Sequence, residues 1–164
     1  MAGPGPRKNY LEDNKYFMSV AALTAERSRD PNTQVGACIV KDGEVISVGY
    51  NHLPIGDDQP YWGKEYPDSK YLYVCHAVTH AILNAKGADL NGASVYTTLF
   101  PHNKCAINII ITGIKKVIYL HDNYTDKPWC VASRNMLNTK KILLEQMKPI
   151  DVDLRETPAD PFEK

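Results

Sequence analysis

The sequence predicts an α/β sandwich around a mixed β-sheet. Three observations carry this. Two short apolar runs flank the tight-turn signal Asp42-Gly43, which is a hairpin. Helical and strand-like patterns then alternate along the chain. With 164 residues, 43% of them apolar and 23% charged, the chain suits one domain with a full hydrophobic core.

The elements follow in order. Residues 14–27 predict a helix, because Phe17, Val20, Ala21 and Thr24 recur at helical spacing and Asp30-Pro31 ends the pattern. Residues 35–40 form an apolar run of strand length, and 44–50 make the second arm of the hairpin. Residues 51–70 hold three prolines and several charges and read as a long loop, a kind of segment that is usually functional. Residues 74–86 predict a helix stopped by Gly87. Residues 94–100 predict a strand ended by Pro101, 103–112 a helix ended by Gly113, and 116–120 a further strand. A helix is expected over 133–138, and 141–147 reads equally as helix or fifth strand. Residues 1–9 are read as an N-terminal tail, 10–149 as the domain and 150–164 as an acidic C-terminal tail.

Composition narrows the function classes. Nineteen basic side chains balance nineteen acidic ones, so no global charge favours polymeric nucleic acid, and a small ligand fits better. The four cysteines, Cys38, Cys75, Cys105 and Cys130, show no disulfide-framework spacing and read as reduced thiols of a cytoplasmic or nuclear protein. No apolar run is long enough to cross a bilayer, and no membrane partner is expected.

Two stretches carry the chemistry. They are His76-Ala77-Val78 and Pro101-His102-Asn103-Lys104-Cys105. Their spacing resembles the His-x-Glu and Pro-Cys-x-x-Cys signature of the zinc-dependent nucleobase deaminases. In that chemistry the His and two Cys hold zinc, and the Glu moves protons between water and base. His76, His102 and Cys105 are therefore the expected zinc ligands, with an imidazole replacing one thiolate. Val78 stands at the Glu position and can neither hold nor release a proton. Thr79 and His80 are candidate substitutes. His80 has three readings: a displaced base, a fourth ligand closing the metal site, or a surface histidine.

Over residues 10–149 the chain resembles the deoxycytidylate deaminases, which convert dCMP to dUMP. The matching text includes Tyr16-Phe17-Met18, the run from Arg27 to Asn32, the run from Gln34 to Val40, Gly49-Tyr50-Asn51, the run from Tyr73 to Ala77, and Gly113-Ile114-Lys115. The resemblance implies a cytidine-deaminase-like three-layer α/β/α sandwich, a zinc ion, a pyrimidine deoxynucleotide ligand and a homo-oligomer, a hexamer in the family. It also implies dCTP or dTTP as effectors, with the long loop taking part. Asn51 matches the residue that binds a sugar hydroxyl in related enzymes. Val78, His102, His80 and His52 depart from the family's Glu, Cys, Asn and Gly respectively. The expected function is a deaminase-family protein that binds zinc and a pyrimidine deoxynucleotide but is catalytically impaired. The alternatives are an active dCMP deaminase using His80, Thr79 or water, and a non-catalytic oligomerising scaffold.

Overall fold

A computed structural model describes Gly3 and residues 5–151. The expected C-terminal tail, beyond Asp151, lies outside the described residues. The elements are α1 (Asp13–Ala25), β1 (Gly36–Lys41), β2 (Glu44–Tyr50), a 3-10 turn (Lys70–Leu72), α2 (Ala77–Asn84), β3 (Ser94–Leu99), α3 (Asn103–Thr112), β4 (Lys116–His121), α4 (Pro128–Thr139) and β5 (Leu143–Gln146).

The five strands form one sheet in the order β2-β1-β3-β4-β5. β1 runs antiparallel to both neighbours, whereas β3, β4 and β5 are parallel. Asp42 and Gly43 take positive φ, as a two-residue hairpin turn requires. Alternation along the strands then builds two cores. Cys38, Val40, Tyr96 and Ile118 face α1 through Phe17, Met18 and Ala21. Ala37, Ile39, Val95 and Val117 face the opposite layer, where Ala77, Ala81, Ile109 and Leu137 supply apolar faces of α2, α3 and α4. The parallel crossovers β3-α3-β4 and β4-α4-β5 run the same way along the sheet, so a common hand puts both helices on one face. The result is the expected three-layer sandwich.

Three expectations shift. The helix foreseen from residue 74 begins at Ala77, because His76 is its extended N-cap. The helix foreseen at 133–138 starts at Pro128, whose fixed φ suits a first helical position. The ambiguous 141–147 segment is a strand, since its parallel pairing with β4 satisfies backbone groups that a short exposed helix would not.

Two glycines set the helix-to-sheet distances. A Cβ on Gly36 would lie 1.9 Å from the Ala21 carbonyl oxygen, and one on Gly49 would lie 2.2 Å from the Ala81 nitrogen. Both obstacles are helix backbone, which has no flexible end to move. Gly49→Ala is therefore expected to destabilise the fold by about 1–3 kcal/mol or more, read by denaturant unfolding. A loss below about 0.5 kcal/mol would contradict this close approach of β2 to α2.

Candidate active site

A cavity of about 510 Å³ lies where the N-termini of α2 and α3 meet the ends of β1 and β3. That volume falls in the usual range for small-molecule sites, about 300–1,000 Å³. His76, Val78, His102 and Cys105 all line it, as does Asn51. The two N-cap histidines bring their ring centres to 4.8 Å. Trp129, at the start of α4, stacks on the His102 ring at 4.9 Å and fixes its plane.

Burial shapes the chemistry of these groups. His76 is pushed down to about 4 by desolvation first, then by the neighbouring His102, Lys104 and Lys70. His102 is lowered by burial and by Lys104. Both imidazoles are held toward the neutral form, in which a ring nitrogen offers a lone pair. Burial raises the Cys105 thiol to about 11, against the opposing hydrogen bond from Thr79. Cys105 Sγ lies 3.8 Å from Thr79 Oγ1, which in turn accepts from Asn108 Nδ2 at 3.0 Å.

The donor set fits zinc in kind, being two imidazoles and a thiol on one cavity wall. Its placement is looser. Among the described residues, no three His, Cys, Asp or Glu side chains stand close enough together to hold an ion. The imidazole pair is adjacent, and the thiol makes its contact with Thr79.

The cavity lining also includes a buried polar network. Asp30 and Lys70 form an ion pair at 2.6 Å with side chains 1% and 7% exposed. Asp30 Oδ1 also accepts from the amides of Asn32 at 2.8 Å and Thr33 at 3.2 Å, and Oδ2 accepts from Asn51 Nδ2 at 3.2 Å. Asn51 is locked further: Oδ1 accepts from the Val35 amide at 2.8 Å, and Nδ2 donates to the Thr33 carbonyl at 2.9 Å. Both Nδ2 hydrogens are thus used. One lone pair on Oδ1 remains, so Asn51 can accept one further hydrogen bond, as from a sugar hydroxyl.

The other sequence candidates lie elsewhere. Thr79 and His80 do not line the cavity, and neither does His52. Thr79 bridges Cys105 and Asn108 behind the wall. His80 packs on Tyr50 and His52 near the end of β2. Val78 is 3% exposed, shared between the cavity wall and the apolar core. Lys70 and Trp129 had no local signal in the sequence, because their partners are 40 and 27 positions away.

A five-stranded mixed sheet, flanked by one helix on one face and three on the other, with this cavity at two helix N-termini, defines the cytidine-deaminase class of fold. The dCMP deaminase of the cyanophage S-TIM5, in complex with dCMP and dUMP, matches 81% of this chain and 95% of its own, with a TM-score of 0.67 at 28% identity. The family model for the cytidine and deoxycytidylate deaminase zinc-binding region matches residues 11–121. The deoxycytidylate deaminase of Homo sapiens is 44% identical over 149 residues, spanning 87% of this chain and 84% of that protein. The probable deoxycytidylate deaminase of Drosophila melanogaster is 43% identical over 169 residues, 94% of this chain and 83% of that protein. The chain belongs to the deoxycytidylate deaminase family.

Proposed function

We propose that the cavity binds a pyrimidine deoxynucleotide and that dCMP deamination there is lost or strongly reduced. The observation that carries this is Val78. It sits on the cavity wall where the family resemblance puts the proton-moving Glu, and its side chain has no titratable group. The remaining walls suit a nucleotide. Asn51 Oδ1 offers a lone pair to a sugar hydroxyl, Phe100 and Leu99 offer apolar surface to a base, and the exposed Lys104 offers a cation to a phosphate. The names of the relatives support dCMP as the ligand class; the family resemblance alone suggests dCTP or dTTP as effectors and a homo-oligomer as the assembly.

A pyrimidine deoxynucleotide is expected to raise the melting temperature of the protein, because it binds the folded state alone. Asn51→Ala should shrink that increment relative to its own ligand-free transition. No shift with dCMP, dCTP or dTTP at millimolar concentration would contradict the reading.

His76, His102 and Cys105 would hold the zinc, and a zinc so held supplies Lewis-acid polarisation and an activated nucleophile. The neutral imidazoles offer lone pairs directly, whereas Cys105 must give up its proton and its contact with Thr79. Purified protein is expected to carry close to one zinc per chain by elemental analysis, and Cys105→Ala should lose it. Full zinc retention in that variant would refute the assignment.

The activity of the relatives supports a second reading, a working dCMP deaminase. Proton transfer would then fall to water, or to Thr79 or His80 after a movement that brings either into the cavity. Where His80 is the proton carrier, His80→Ala abolishes turnover, and where water or Thr79 is, turnover survives that change; the first reading has no turnover for it to remove.

A further inference from the structure

We propose that His52 and His80 form a second site, a bis-imidazole pocket for a borderline divalent transition-metal ion, separate from the cavity. Their ring centres are 4.2 Å apart at a 50° tilt, and neither residue lines the cavity. Both side chains are half-buried, so one end of each ring can be reached from solvent.

The backbone sets which nitrogen is free. His52 Nδ1 lies 3.2 Å and His80 Nδ1 lies 3.0 Å from the same oxygen, the carbonyl of Tyr50. A carbonyl oxygen can only accept, so when a metal takes Nε2 the proton stays on Nδ1 and this carbonyl receives it from either ring. The Tyr50 amide also lies 3.2 Å from His80 Nδ1 and donates to it in the other tautomer, so metal binding at His80 selects the tautomer protonated on Nδ1. In that tautomer Nε2 carries the free lone pair. An imidazole that donates one N–H to a backbone carbonyl and offers the other nitrogen has the arrangement usual for metal-binding histidines. The carbonyl has two lone pairs and can orient both rings at once. The Tyr50 ring backs them, with centres 5.0 Å from His80 and 5.6 Å from His52.

The spacing suits one ion. Imidazole nitrogen binds such ions at about 2.0–2.1 Å. Two rings in neighbouring positions of a square-planar shell then stand roughly 4.5 Å apart, centre to centre. Water completes the shell. Imidazole ligands suit copper, nickel and zinc, and copper(II) binds tightest in that series. The ion would tie the segment after β2 to α2, the helix that carries Val78 and is capped by His76.

The test uses the full chain and copper(II) alone as the probe. Anomalous diffraction from copper-soaked crystals is expected to show a peak bonded to Nε2 of both His52 and His80. In calorimetric titration, His52→Gly and His80→Asn should each weaken this site at least tenfold. Both substitutions install the residue that the family resemblance puts at that position, which favours folding. The wild-type peak decides the question even if a variant unfolds. No copper between His52 and His80, or unchanged copper binding in both variants, would overturn the proposal.

Discussion

Asp30→Ala is expected to destabilise the protein by about 3–5 kcal/mol, the usual cost of removing one partner of a buried ion pair. Among the described residues Asp30 is the carboxylate paired with Lys70, and both side chains are almost fully enclosed. Removing it leaves a buried ammonium without its counter-ion. It also leaves the Asn32 and Thr33 amides without their acceptor. Lys70→Met should cost less. The Asp30 carboxylate would keep three N–H donors, from Asn32, Thr33 and Asn51, which go on solvating its charge. Denaturant unfolding of the two variants checks the order. Equal or inverted losses would mean that the lysine, not the carboxylate, organises this wall. The network matters for function because it fixes Asn51, so Asp30→Ala should also weaken nucleotide binding in whatever fraction folds.

The second large effect is a gain. Val78→Glu is expected to raise dCMP deamination by about 10²–10⁴-fold over the wild-type rate, the usual contribution of a general acid/base. The position is on the cavity wall beside two neutral imidazoles, so a carboxylate there faces the cavity as well as the core. The same change buries a charge at a site that is 3% exposed, and some loss of stability accompanies it. Restored turnover with lowered stability is the combined signature. Adding His102→Cys should raise turnover further only if the identity of that ligand limits the reaction. No turnover in Val78→Glu, with zinc and nucleotide both bound, would mean that the other departures have closed the chemistry.

Local signals made most of the fold legible. The Asp42-Gly43 turn, the glycines after two helices and the alternation in β1 and β3 all act within a few residues, and they fixed six elements closely. The start of α4 was not legible, because Lys127-Pro128-Trp129 resembles a loop until its packing is seen. The site divides in the same way. His76, His102 and Cys105 were readable because short motifs place them at helix starts, and the structure brings all three to one cavity. Asp30 and Lys70 were not, because a pair separated by 40 positions leaves no periodic trace. His80 shows the limit of spacing arguments. It lies four residues after His76, but His76 is an extended N-cap rather than a helical residue. The two imidazoles therefore do not share a face, and His80 turns to Tyr50 instead.

The most direct measurement is dUMP formation from dCMP by the zinc-loaded wild-type chain, with dCMP binding shown in the same preparation. Bound nucleotide and turnover near the uncatalysed rate are expected. Robust dUMP formation, at a rate that Val78→Glu does not raise, would contradict this expectation.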